Sequence, residues 1–255
     1  MPNSVFDVVG VGNAIVDVIA ESSEALVDRL GLAKGTMTLV DPARAAALYD
    51  EMGPAVEMSG GSAANTIAGV ASFGGKAAYI GKVRDDELGR VFRHDIRAAG
   101  VEYRIAPRDS GPPTARCLIF VTPDAQRTMQ TSLGISVDLG PDDIDADLIA
   151  SAKITYLEGY LFDREEAKEA FVRAAEIAHA AGGKVALTLS DPFCVDRHRA
   201  AFQHLVAGHV DILFANELEI KSLYQARSFE DAVDAVRGHC EVAALTRGAQ
   251  GSLIV

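Results

Sequence analysis

The chain has 255 residues, 49% of them hydrophobic and 24% charged, with no low-complexity run, so it should fold around a sizeable core as one large domain or one domain with a small appendage. Its formal net charge of -12 argues against a nucleic-acid groove or an anionic membrane surface as partner; anionic ligands must be held locally by backbone N–H groups, a few cations or a divalent metal. Cys117, Cys194 and Cys240 are far apart and odd in number, which offers neither a disulfide framework nor a metal knuckle and predicts a reducing, cytoplasmic setting. The first seven residues carry no basic leader, and Asn13 and Asp17 interrupt the apolar stretch after them, so neither export nor membrane spanning is expected.

In chain order, Val5 to Val11 predicts a buried strand running into a ligand-side loop at Gly10-Val11-Gly12-Asn13. Ile15 stands where the dinucleotide fingerprint needs its third glycine, and no P-loop pattern occurs. Ala14 to Ala20 and Thr36 to Val40 read as extended pieces around a short helix, Glu24 to Leu30. Thr114 to Val121 and Gln126 to Ser132 form a second pair, turned at Pro123-Asp124. These four pieces break the rhythm of the rest and predict a small separate sheet, about 14–40 and 112–133, lying over one end of a single domain.

Ser59 to Lys82 organises the remainder. Gly60-Gly61 allows a turn that a Cβ would obstruct and exposes the unpaired N–H groups of a helix start, with Ser62 and Asn65 on one face of that helix. The alternative is a glycine turn capping a core helix. Ile67, Val70, Ala71 and Phe73 are spaced to pack against a sheet, and Ala77 to Ile80 returns to strand period. Asp85, Asp86 and Glu87 then open a helix with a stripe of Leu88, Val91, Phe92 and Ile96. Strands at Ile154–Leu157, Lys184–Leu189, Ile212–Phe214, Val242–Thr246 and Ser252–Val255 alternate with helices at Glu165–Ala181, near Arg197–Val206, at Glu217–Tyr224 and at Phe229–Arg237. The pattern predicts an α/β fold with a doubly wound, mostly parallel sheet and helices on both faces, its ligands beyond the carboxyl ends of the strands.

Polar residues collect at those ends: Asn13 and Asp17, Asp191, Asn216 and Glu219, and Thr246 with Gly248 and Gly251. Asp17, set among Ile15, Val16, Val18 and Ile19, either meets a ligand hydroxyl that offsets its desolvation or points outward from the alternating small sheet. Asn216 and Glu219 read as a capping box or as organisers of water around Mg²⁺. Arg127 reads as solvated surface or as a neutraliser of phosphate charge. None of the six histidines is assigned a catalytic role.

These residues resemble the ribokinase-like (PfkB) sugar and nucleoside kinases. Gly60-Gly61-Ser62-x-x-Asn65, running on through Gly74-Gly75 and Tyr79-Ile80-Gly81-Lys82-Val83-x-x-Asp86-x-x-Gly89, is similar to the family's first signature. Asn216-x-x-Glu219 is similar to its magnesium motif, and Thr246-Arg247-Gly248-x-x-Gly251 to the start of its nucleotide site. Gly12-Asn13-x-x-x-Asp17 and Leu189-Ser190-x-Pro192-Phe193 look most like the adenosine kinase branch. The resemblance implies a ribokinase-like fold whose small sheet is a lid, and ATP- and Mg²⁺-dependent phosphorylation of the 5′-hydroxyl of a nucleoside, adenosine first, in purine salvage. It implies that Asp17 holds ribose hydroxyls with Asn13, Gly60, Gly61, Ser62 and Asn65 around the same sugar. Ile15, Met37, Leu39, Cys117, Met129 and Phe193 would line the base pocket, Arg127 would contact phosphate, Asn216, Thr246, Gly248 and Gly251 would hold the nucleotide, and Glu219 the metal through water.

The family's later Asp-Thr-x-Gly-Ala-Gly-Asp motif, which carries its anion hole and catalytic base, does not occur in these 255 residues. The resemblance implies that phosphoryl transfer without those groups would lose several orders of magnitude in rate, about 10² to 10⁴-fold for each. The alternatives are a sugar kinase of the same family acting on ribose, fructose or a ketodeoxygluconate-like substrate, a non-catalytic nucleoside-binding protein, and an unstable fragment with an exposed apolar sheet edge. A homodimer through the lid is also open.

Overall fold

The computed structural model describes residues 5–255; residues 1–4, part of the stretch read as lacking a leader, lie outside the described residues. The chain begins with β1 (Phe6–Val11), β2 (Ile15–Glu21), α1 (Glu24–Arg29), β3 (Met37–Leu39), α2 (Pro42–Tyr49), β4 (Ala55–Gly60) and α3 (Ser62–Ser72). It continues with β5 (Ala77–Ile80), α4 (Glu87–Ala98), β6 (Val101–Glu102), β7 (Ala115–Val121), β8 (Arg127–Ser132), α5 (Ala146–Ala150) and β9 (Ala152–Glu158). The last part is α6 (Glu165–Ala180), β10 (Lys184–Thr188), α7 (Pro192–His209), β11 (Ile212–Asn216), α8 (Glu217–Tyr224), α9 (Phe229–Val236), β12 (Val242–Thr246) and β13 (Ser252–Ile254).

Eight strands form the main sheet in the order β13-β12-β11-β10-β9-β1-β5-β6, parallel throughout except for the antiparallel β12–β13 pair. Alternate residues serve its two faces. Val9, Val11, Leu157, Val185, Leu187, Leu213 and Leu245 pack in one core with Phe171 and Ala174 of α6, Phe202 of α7 and Val233 of α9. Ala77 and Tyr79 pack on the other face with Ile67 of α3 and Phe92 and Ile96 of α4. This is the α/β arrangement with helices on both sides that the alternating sequence predicts. Where α3 and α4 end, that second face carries Tyr156, Ile212, Val242 and Ala244 half-buried and Phe214 exposed.

The small sheet has the order β3-β8-β7-β2-β4. One of its faces, with Val16, Val18, Leu118 and Phe120, packs on Val27 of α1, Leu48 of α2 and Phe92 of α4. Its fifth strand, β4, is not among the extended pieces expected from sequence; it carries exposed Val56 and Met58 on one face and is held by antiparallel pairing with β2 alone. The α2 helix was also unread, although Asp41 caps it by accepting from the Arg44 N–H (2.7 Å) and Pro42 opens it.

Two further expectations need correction. Phe73 does not pack against a sheet: α3 ends at Ser72 and the ring is 94% exposed, whereas Ile67 is buried against Gly10. The helix expected near Arg197 begins at Pro192, because Asp191 accepts from the N–H groups of Phe193 (2.7 Å) and Cys194 (3.2 Å), and its helical backbone is interrupted at His198.

Candidate functional site

The small sheet turns its second face away from the α1–α2 side, and strand register fixes what stands there. One row across all five strands reads Met58, Asp17, Cys117, Thr131 and Leu39. The row beyond it reads Val56, Ile19, Ile119, Met129 and Met37, all apolar. Asp17 lies on the open face of an alternating sheet, half-buried beside Met58 and Cys117. Burial pushes its carboxyl pKa up to about 6, and the positive charge of Arg127, at the start of β8, pulls the other way. Burial likewise pushes the Cys117 thiol up to about 11, and the Thr131 hydroxyl lies 3.3 Å from its sulfur.

Gly60 pairs with Ile15 at the end of this sheet, and a Cβ there would come within 2.3 Å of the Asp17 carboxyl. Gly61 has φ +96°, and its Cβ would meet the Asn13 carbonyl oxygen at 2.6 Å. The two glycines therefore let the entry to α3 lie directly against Asp17 and Asn13. Asn13 is 1% exposed: its carbonyl accepts from the Tyr79 hydroxyl (2.9 Å), and its Oδ1 accepts from Ser136 (2.8 Å).

The residue that binds this corner together was not singled out from sequence. Glu158, at the carboxyl end of β9 and 1% exposed, accepts from the backbone N–H of Asn13 (2.7 Å), from Asn13 Nδ2 (3.1 Å), from the Ala63 N–H (3.0 Å) and from the Ser62 hydroxyl. The signal was available, since a carboxylate follows the run Ile154–Leu157 just before Gly159, at a strand end like those of Asn13, Asp191 and Asn216. Asn65 is exposed one turn further along α3, and Phe193, 72% exposed, stands at the start of α7 beyond β10. Lys82 of the glycine-rich segment has a structural partner instead, pairing with Asp143 (2.7 Å) in a buried contact.

A second polar group lies at the ends of β11 and β12. Asn216 and Glu219 form the capping box, Glu219 accepting from Asn216 N (2.9 Å) and Nδ2 (2.7 Å). Glu219 is buried, and desolvation, with the negative charge of Asp191 adding, raises its pKa above the usual carboxylate range. Among the described residues no three His, Cys, Asp or Glu side chains cluster as metal ligands, so a cation here would keep most of its water, as Mg²⁺ commonly does. A buried carboxylate beside a second negative charge, with no cationic side chain paired to it among the described residues, fits such a hydrated ion. Thr246, Gly248 (φ +55°) and Gly251 (φ +90°) form an open loop, and a Cβ at either glycine would meet nothing within 4 Å. With strands about 4.8 Å apart, the ends of β11 and β12 lie about 14 and 19 Å across the sheet from β1.

Residues 8–255 match the family described as pfkB family carbohydrate kinase. Among solved structures, a probable sugar kinase protein from Rhizobium etli CFN 42 is 51% identical with a TM-score of 0.90, the alignment covering 99% of this chain and 77% of that one. An adenosine kinase from Sinorhizobium meliloti is 52% identical with a TM-score of 0.89, covering 98% of this chain and 77% of that one. Fructokinase-1 of Zea mays is 31% identical over 68% of this chain and 55% of its own length. The chain spans about half the length of the fructokinase relatives it matches. No helix among the described residues is long and apolar enough to cross a membrane. With the family match running through nearly all of the sequence, the chain belongs to the pfkB family of carbohydrate kinases.

Proposed function

We propose that this chain carries the binding machinery of an ATP-dependent nucleoside kinase, with adenosine as the leading substrate. The observation that carries the reading is the two-row face of the small sheet. Asp17 and the Gly60–Ser62 entry to α3 offer a polar corner suited to sugar hydroxyls, and the apolar row Val56, Ile19, Ile119, Met129 and Met37 adjoins it. A free hexose would leave that row uncovered, whereas a sugar bearing a flat base would cover it. Ile15, Met37, Leu39, Cys117, Met129 and Phe193 serve the base, and Asn13, Gly60, Gly61, Ser62, Asn65 and Asp17 serve the ribose.

In this reading the triphosphate extends toward Asn216, Thr246, Gly248 and Gly251, Glu219 holds Mg²⁺ through water, and Arg127 offsets phosphate charge. The ion supplies charge neutralisation of the phosphates when bound. The nucleoside hydroxyl oxygen forms a bond to the γ-phosphorus as the bond to the β-phosphate oxygen breaks, leaving ADP and the nucleoside monophosphate. This chain's residues bind, orient and neutralise; the acceptor of the hydroxyl proton is not assigned to any of them.

The second reading, a sugar kinase, is supported by the fructokinase relatives. A panel separates the two: ATP consumption and binding calorimetry with adenosine, ribose, fructose and ketodeoxygluconate, with and without Mg²⁺. Micromolar adenosine binding with the free sugars ignored supports the nucleoside; the reverse order overturns it. Adenosine binding without turnover supports a binding role for the chain. The exposed Met37, Leu39, Val56 and Met58 on the two edge strands of the small sheet support pairing of two copies through the lid, read by light scattering. The unpaired state of all three cysteines supports a cytoplasmic location.

A further inference from the structure

We infer that Glu158 is the positioning residue of the hydroxyl-binding corner and sets the hydrogen-bond polarity that the corner shows to a ligand. The inference rests on the reading that this corner takes a hydroxylated ligand. Three segments that are far apart in sequence meet at this one carboxylate. Oε2 accepts both the backbone N–H and the Nδ2–H of Asn13, 145 residues away, and Oε1 accepts the Ala63 N–H, 95 residues away, together with the Ser62 hydroxyl. The β1–β2 connection and the first turn of α3 are thereby tied to the end of β9.

The tie is needed because α3 has no cap of its own. Gly61 occupies the cap position and has no side chain, so the orphan N–H at Ala63 is satisfied from another element, and a carboxylate suits the positive end of the helix. Gly12 makes room for it, since a Cβ there would lie 2.9 Å from Glu158 Oε2.

Donor and acceptor roles follow. A serine hydroxyl has one proton, and Ser62 gives it to Glu158, so Ser62 faces the ligand as an acceptor only. Asn13 has one Nδ2 hydrogen committed to Glu158, so a single Nδ2 donor remains to it, while its Oδ1 lies 2.8 Å from the Ser136 hydroxyl, whose one proton is shared with the Leu133 carbonyl (2.6 Å). The corner therefore receives a hydroxyl proton at Ser62 and at Asp17. Glutamine cannot replace Glu158 in this role. Its amide has one acceptor oxygen, while the two backbone N–H groups, of Asn13 and Ala63, approach opposite oxygens, so either orientation sets an amide NH₂ against a backbone N–H.

The test compares the full chain with Glu158→Gln and Glu158→Asp by two readouts: amide hydrogen exchange without ligand, and calorimetric binding of adenosine and of ATP. Positioning predicts faster exchange confined to residues 12–14 and 61–64, adenosine affinity lower by about tenfold or more in Glu158→Gln, ATP affinity within about twofold of wild type, and partial recovery of adenosine binding in Glu158→Asp, which keeps both acceptor oxygens. The inference is overturned if Glu158→Gln binds adenosine within about twofold of wild type, or if adenosine and ATP affinities fall together with exchange rising throughout, which marks a general structural role. Should wild type bind a free sugar and ignore adenosine, the nucleoside reading falls, and the same comparison with that sugar still decides Glu158. Should Glu158→Gln not fold, Glu158→Asp decides by whether its faster exchange stays within those two segments or spreads.

Discussion

Replacing Asp17 by asparagine sets ligand binding against fold stability with opposite signs. Burial holds the Asp17 carboxyl at a pKa of about 6 against a usual 3.8. That shift of about two units corresponds to roughly 3 kcal/mol at 1.36 kcal/mol per unit, an upper figure because Asp17 is only half-buried and Arg127 lies within charge reach. Because the folded-state value is raised, the stabilising preference for the protonated form is complete below the unfolded value and lost as pH rises through about 6. Above that, the ionised carboxylate is a net cost to the empty protein. Asp17→Asn should therefore be more stable than wild type by about 1–3 kcal/mol near pH 7.5, with the difference closing toward zero below about pH 4. In the same variant adenosine affinity should fall by about 10- to 100-fold, as expected for losing charge-assisted hydrogen bonds. Wild-type affinity should rise with pH along a single ionisation near 6. Urea unfolding of both proteins at pH 4 and 7.5, with calorimetry across pH 5 to 8, measures all of this. A variant less stable than wild type at pH 7.5 without ligand, or a wild-type affinity flat from pH 5 to 7, refutes the reasoning.

Gly60→Ala places a methyl within 2.3 Å of the Asp17 carboxyl and should turn that short side chain away, lowering ligand affinity by tenfold or more in a titration while unfolding moves less than for Gly61→Ala. Gly61→Ala combines φ +96° with a Cβ 2.6 Å from the Asn13 carbonyl and should cost about 2–4 kcal/mol in urea unfolding. Asn216→Ala removes the side-chain cap of α8 and the Nδ2 donor to one Glu219 oxygen, while the backbone N–H at position 216 still serves the other; we expect a loss of about 1 kcal/mol in stability and weaker Mg-ATP binding, with adenosine binding unchanged, by calorimetry. With burial pushing Cys117 to about 11 and Cys194 to about 12, iodoacetamide at neutral pH should label the half-buried Cys240 first, as read by peptide mass spectrometry; first labelling at Cys117 would count against the buried thiol.

The strand-and-helix alternation, the separate small sheet and the glycine entry to α3 were legible in the sequence because each rests on local chemistry. Apolar runs of strand length, a helix stripe such as Val91, Phe92 and Ile96, and a Gly-Gly pair before small helix formers say the same thing in any context. The edge strand Ala55–Gly60 was not legible, because a strand with one open face and one partner owes its existence to β2, not to its own alternation. Phe73 shows the same limit, since helical spacing predicts a shared face but not where the helix ends or what lies opposite. That Asp17 stands on the open face was decided by the register that sets Met58 and Cys117 beside it. The strand-end position of Glu158 is legible in the sequence, but its partners are not: they meet it only when β9 lies next to β1 and α3 begins above them, bringing donors 145 and 95 residues away onto one carboxylate. Local preferences determined most of the strands and helices, and long-range packing decided the edge strand and which polar groups meet, because a buried carboxylate persists only where the assembled fold supplies its donors.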